Sequence, residues 1–137
     1  LVCLTVIMPG EVKRNLQSLV VAQAAVTALL SAFGSEMLKL ELRDLPTGYE
    51  AYLVTPLSNE EAKRKTCRIE DTHPLGRLFD LDVIDSDGVP VSRESIGQSP
   101  RKCLVCDNEA RFCMRNRTHT LAELSAKIDE MIEAYVR

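Results

Sequence analysis

The sequence predicts an α+β domain in which a mixed or antiparallel sheet packs with about three helices, in the order βαββαββα. Three observations carry that expectation. Short apolar or alternating runs interleave with longer helical patterns, two Ser/Thr-x-x-Glu starts mark helix N-termini, and Pro or Gly punctuates the joints. A chain of 137 residues also has the length of a single domain, so residues 1–137 are read as one unit.

Leu1–Met8 (LVCLTVIM) is an apolar run stopped by Pro9-Gly10, the form of a buried strand entering a turn. A long helix is expected from about Asn15 to Phe33, with Gly34 as its C-cap. Its polar stripe of Gln23, Thr27 and Ser31 leaves most of the circumference apolar, which predicts heavy burial. Met37–Leu42 alternates, and Tyr49–Val54 follows a Pro46-Thr47-Gly48 turn, so the two are read as a hairpin. Ser58-Asn59-Glu60-Glu61 opens a second helix running to about Glu70, which His73-Pro74 ends because the residue before proline avoids the α region. Leu78–Ile84 (LFDLDVI) is the clearest strand, and Ser86-Asp87-Gly88 is expected to turn it into a partner strand at Val89–Ser92. A loop with Gly97 and Pro100 follows. Thr120-x-x-Glu123 then starts a last helix whose Leu121, Leu124, Ile128, Met131, Ile132 and Tyr135 share one face.

Seventeen Lys plus Arg against twenty Asp plus Glu give a net charge of −3. This disfavours a protein built on phosphate-backbone attraction. With no Trp, three Tyr and three Phe, base stacking is disfavoured as well. The charge is uneven: residues 93–120 hold six cations and three acids. That segment is either a solvated surface or a site for a polyanion. Five Cys, three of them within eleven residues, suit a cytoplasmic thiol or metal site better than a disulfide framework. The apolar stretch Leu19 to Phe33 reads as too short and too polar on its stripe to span a bilayer, so a soluble, cytoplasmic protein is expected. The chain opens on Leu1 directly in a strand-like run, from which a missing N-terminal segment is expected.

Three groups of residues carry chemistry. In LFDLDVI the strand period puts Asp80 and Asp82 on one face, their Cα atoms roughly 7 Å apart from two rises of about 3.3 Å. Such a pair suits a Mg²⁺ that keeps phosphate oxygens and waters, although a solvated acidic strand face has the same pattern. His73, Gly76 and Arg77 lead into the pair, supplying a ring donor, an unhindered turn and a cation, an arrangement suited to a triphosphate. A surface ion pair for Arg77 and a backbone-bonded turn for His73 are the alternatives. Lys13 follows the Pro9-Gly10 turn at the start of the first helix, where an anion is favoured, but the P-loop spacing is absent. Finally, Cys103-x2-Cys106-x6-Cys113-x5-His119 offers four ligands of the types zinc prefers, in a set that argues for a structural site. Three buried thiols with an unrelated histidine are the competing reading.

IMPGEVK, HPLGRLFDLDV, VSR and RKCLVCDNEARFCMRNRTH, in that order and spacing, resemble the apo-citrate lyase phosphoribosyl-dephospho-CoA transferases, also called citrate lyase holo-acyl-carrier-protein synthases. The resemblance covers nearly the whole chain, with Glu11 standing where the family often has proline. It implies transfer of the phosphoribosyl-dephospho-CoA group from a triphosphoribosyl-dephospho-CoA to a serine of the citrate lyase acyl carrier subunit, with release of pyrophosphate. Such a reaction is of nucleotidyl-transfer type. It fits Mg²⁺ held by Asp80 and Asp82, with Arg77 catalytic and with Lys13, His73, Gly76 and Arg93 of VSR around the triphosphate. It also makes Arg115 and Arg117, in the Cys/His-rich basic segment 100–120, candidates for docking the carrier. A non-catalytic zinc-stabilised module that docks an acyl carrier protein is the alternative function.

Overall fold

The computed structural model describes residues 1–8, 13 and 15–137. The predicted Pro9-Gly10 turn lies outside the described residues. Within them the order is β1 (Val2–Val6), α1 (Leu16–Phe33), β2 (Lys39–Leu45), β3 (Gly48–Val54), α2 (Asn59–Thr72), β4 (Phe79–Val83), α3 (Ala110–Asn116) and α4 (Leu121–Val136). The class is α+β, as expected. The sheet is antiparallel throughout, in the order β2-β3-β1-β4.

Cross-strand register sorts the two faces. Val2 pairs with Leu53 and Val83, and Leu4 pairs with Ala51 and Leu81, all buried. On the opposite face Cys3 pairs with Tyr52 and Asp82, and Thr5 pairs with Asp80. The apolar face is covered by α1 through Val21, Ala25, Leu29 and Phe33, by α2 through Ala62 and Ile69, and by α4 through Ile128 and Ile132. Asn15 caps α1 with its side chain and Thr120 caps α4, each in a reciprocal box with the third helical residue. The predicted α1 stripe of Gln23, Thr27 and Ser31 is exposed.

Three expectations need correction. Val89–Ser92 is not a strand. Within that stretch a single bridge forms, Ile84–Pro90, with Val91 N–H donating to the Val83 carbonyl at 2.8 Å. Pro90 has no N–H to extend a ladder, and Ser92 diverts the chain into a short 3₁₀ turn by accepting from Ser95 N–H. The order is therefore βαββαβαα, with α3 a fourth helix. The last-helix stripe is also narrower than predicted: Ile128 and Ile132 are buried, whereas Leu121 and Tyr135 at its ends are exposed. Lastly, α1 with its trailing turn, Leu16–Glu36, is long and apolar enough by composition to cross a bilayer, which the sequence reading denied. In this fold its inner side is the middle of the core.

Gly76 fixes the approach of β4 to α2. A β-carbon there would lie 2.2 Å from the Glu70 carbonyl oxygen and 2.7 Å from that of Ile69. Only a residue without a side chain lets the chain turn that tightly under the last turn of α2. Gly76→Ala is expected to lower unfolding stability by about 2 kcal/mol or more, since backbone rather than a flexible side chain must yield. Urea denaturation measures it, and an unchanged midpoint would contradict the packing account.

Candidate functional site

β4 carries the carboxylate pair, and β1 covers only one of its edges. On the other edge Leu81 N–H donates to Glu70 Oε2 at 2.9 Å, and the Phe79 carbonyl accepts from Arg101 Nη1 at 2.8 Å. Arg101 Nη2 also reaches the Gly76 carbonyl at 3.0 Å. Glu70, 4% exposed, is paired with Arg93 at 2.7 Å and Arg101 at 3.4 Å, and Arg93 also meets Asp71 at 3.1 Å. A buried carboxylate needs such partners, because its desolvation is otherwise unopposed. The outer edge of the strand that carries Asp80 and Asp82 is thus sealed by side chains.

Where β1 ends and β4 begins, a cleft of about 420 Å³ opens between the sheet and the 103–128 segment. Asp80, Arg77 and Arg101 supply its polar side. Leu104, Met114, Leu124 and Ile128, with Ile7 and Met8 after β1, supply apolar lining. Arg77 Nε is buried with no hydrogen-bond partner among the described residues. Burial, and then the Arg101 charge, push the Arg77 guanidinium down to about 10. Asp80 Oδ2 accepts from the Thr5 hydroxyl at 3.4 Å. Asp82 is exposed, yet partial desolvation, and after it the Asp80 charge, push its carboxyl above the usual range. Lys63 and Arg101 act in the opposite direction. Two carboxylates in mutual repulsion beside a hydroxyl form a donor set of hard oxygens, suited to a hard divalent cation.

The Cys103, Cys106, Cys113 and His119 ligand atoms all lie within 4.8 Å of one another, so the cluster could hold a metal ion. Cys106 Sγ is 3.4 Å from both Cys113 Sγ and His119 Nε2. Tetrahedral bonds of about 2.3 Å to sulfur put ligand atoms roughly 3.7 Å apart, close to this spacing. His119 Nδ1 lies 3.6 Å from Glu123 Oε2, so the ring is oriented from its far side by a carboxylate. Local structure explains the gathering: α3 carries Cys113, and Arg117, in the left-handed region at φ 48°, turns the chain back so that His119 meets Cys106. Burial opposes ionisation of Cys103, but the Val105 and Cys106 amides, followed by the neighbouring thiols, outweigh it and bring the group to about 7. Burial, and then the Cys106 and Cys103 sulfurs, hold Cys113 up at about 11. The contact with Cys106, above all, raises the His119 imidazole.

The remaining predicted residues are spread around this centre. Lys13 Nζ donates to the Met8 carbonyl, and Met8 lines the cleft. His73 Nδ1 accepts from Leu75 N–H at 3.0 Å, and its ring packs on Phe79 and Tyr135. Burial lowers the His73 pKa. Gly76 and Arg93 lie buried between α2 and β4 rather than in the cleft. Arg115 and Arg117 are exposed around the end of α3. Sequence reasoning missed Glu70 and Arg101. Glu70 could have been noticed as an acid in line with Ala62, Thr66 and Ile69 on the inward stripe of α2.

Taken together, the fold and site define a small α+β domain that sets one carboxylate of a strand-borne pair, Asp80, and a half-buried arginine, Arg77, beside a Cys₃His cluster. Comparison with known proteins gives the family. The apo-citrate lyase phosphoribosyl-dephospho-CoA transferase family model matches residues 1–135. A Vibrio cholerae serotype O1 (strain M66-2) protein is 42% identical over 139 residues, covering 98% of this chain and 78% of the relative. A Streptococcus pyogenes serotype M18 (strain MGAS8232) protein is 35% identical, covering 98% and 72%. Both bear the name "Probable apo-citrate lyase phosphoribosyl-dephospho-CoA transferase". The chain belongs to this transferase family.

The Asp82 environment gives a signed expectation. A carboxyl whose folded pKa is raised penalises the native state when ionised, so that penalty is absent at pH below the ordinary value of 3.8 and present once pH exceeds the raised one. Without added divalent cation, Asp82→Asn is expected to melt higher than the parent at pH 7, with the gain vanishing at about pH 3. Thermal melts at the two pH values check this. A loss of stability at pH 7 would contradict it.

Proposed function

We propose that this protein transfers the phosphoribosyl-dephospho-CoA group from its triphosphate precursor to a serine of the apo-citrate lyase acyl carrier subunit, with pyrophosphate leaving. The observation that carries this reading is the shared cleft of Asp80 and Arg77, with Asp82 two residues along the same strand face. The family match supports the group transferred and the acceptor. The reaction is a displacement of nucleotidyl-transfer type: the serine oxygen bonds to the α-phosphorus and the bond from that phosphorus to the pyrophosphate oxygen breaks. Bound between Asp80 and Asp82, Mg²⁺ would neutralise charge that develops on the phosphate oxygens.

The residues of the chain do the rest. Arg77, whose Nε lacks a hydrogen-bond partner among the described residues, holds the polyphosphate by charge-assisted hydrogen bonds. Lys13 adds a cation at the rim beside Met8. Gly76, His73 and Arg93 act one step back: they set the turn and the strand edge from which Arg77 and Asp80 project. The nucleophile belongs to the carrier, so this chain needs none of its own; the serine hydroxyl loses its proton to solvent as the new P–O bond forms. Arg115 and Arg117 offer an exposed basic surface near the cleft for docking the carrier. The metal of the Cys/His cluster is zinc in this reading, given three soft sulfurs, one imidazole and no further ligand among the described residues. The setting is cytoplasmic.

The experiment combines protein, apo-carrier, triphosphoribosyl-dephospho-CoA and Mg²⁺, and weighs the carrier. One prosthetic group should be added per carrier, with one pyrophosphate released. Asp82→Asn should slow transfer by about 10²-fold or more, equivalent to about 2.7 kcal/mol in the barrier. A carrier that binds but never gains mass would instead favour a non-catalytic docking module.

A further inference from the structure

The metal cluster and the cleft share a wall. Cys103, Cys113 and His119, three of the four ligands, line the same cavity as Arg77 and Asp80. Each sits beside apolar lining from its own segment. Leu104 follows Cys103, Met114 follows Cys113, and Leu124 lies on the helix that begins just after His119. These segments are the 103–106 loop, α3 and the start of α4. Few backbone hydrogen bonds tie the loop down among those described: Cys103 N–H to the Asn108 carbonyl at 2.7 Å and Ala110 N–H to the Arg101 carbonyl at 2.8 Å. Thr118 N–H to the Cys113 carbonyl at 3.1 Å ties α3 to the turn before His119. The ligand atoms are the point at which all three segments meet. On the sheet side Arg77, Asp80 and Arg101 line the cavity together with Ile7 and Met8, and the Glu70 network ties that side down through Leu81 N–H and Arg101.

We propose that the Cys103–Cys106–Cys113–His119 metal site and the cleft are one thermodynamically linked site. A bound ion holds the apolar wall against which a phosphate-bearing ligand with an apolar arm sits, while Arg77 takes the phosphate, so metal occupancy and ligand affinity rise together. The inference rests on the polyphosphate reading of the cleft given above and deepens it. The metal then governs substrate binding, beyond holding a loop to a helix. Linkage requires reciprocity: whatever factor the metal adds to ligand affinity, the ligand adds to metal affinity.

The probe is ATP with excess Mg²⁺, a nucleoside triphosphate standing for the ligand class. Zinc content is measured first. Calorimetry then compares MgATP binding to the zinc-loaded and chelator-stripped protein, with circular dichroism to follow the fold. Stripping should weaken binding at least tenfold. Because stripped protein can unfold, a second measurement uses only the loaded form: zinc affinity, by competition with a chromogenic chelator, should rise by a matching factor under saturating MgATP. Arg77→Ala should lose that rise, which also controls for zinc taken up by the nucleotide itself. If MgATP binds the loaded protein but leaves zinc affinity unchanged, the linkage is overturned and the polyphosphate reading stands. If MgATP does not bind the loaded protein at all, both are overturned. Failure of the protein to hold zinc overturns the linkage alone.

Discussion

The Glu70 carboxylate is the constraint on which the site depends. It is buried at the end of α2, accepts from the Leu81 amide, and is neutralised by Arg93 and Arg101. An edge strand normally presents unpaired donors and acceptors to solvent or to another chain. Here Glu70 supplies the missing acceptor, Arg101 the missing donor to Phe79, and Val91 the donor to Val83. Removing one partner would leave an uncompensated charge inside the protein, which costs several kcal/mol more than a surface pair. The network therefore fixes the orientation of β4 with no further strand beside it, and Asp80 and Asp82 keep their direction on the open face.

That arrangement separates rigid from adjustable parts of the site. On the sheet side, Gly76, Glu70 and Arg101 lock the turn that carries Arg77. On the opposite side the wall comes from a loop, a short helix and the first turns of α4, joined where three thiols and an imidazole converge. Arg101 belongs to both halves, since it binds the strand edge and lines the cleft just ahead of Cys103. A cleft that sets an arginine and a carboxylate among apolar lining suits a ligand with a charged end and an apolar arm.

Much of this was legible in the sequence. Alternation in LFDLDVI placed Asp80 and Asp82 on the face opposite Phe79, Leu81 and Val83, and the pairing with Cys3 and Thr5 agrees. Ligand spacing foretold the Cys/His cluster, because a short helix and one left-handed residue suffice to close it. Glu70 and Arg101 were not legible as partners, since their contact joins residues far apart in sequence and no local periodicity encodes it. Gly76 was read as an open turn, but its role is close backbone approach, which depends on where α2 ends. The strand expected at Val89–Ser92 failed on Pro90, whose missing N–H outweighs the apolar pattern around it.

Native-state amide hydrogen exchange of Leu81 tests the central claim most directly. Leu81 N–H points to the free edge of β4, where an ordinary edge amide faces water. If the Glu70 carboxylate seals that edge as described, Leu81 should exchange as slowly as the amides paired inside the sheet, approaching the rate set by global unfolding. Exchange as fast as that of an unpaired surface amide would contradict the account.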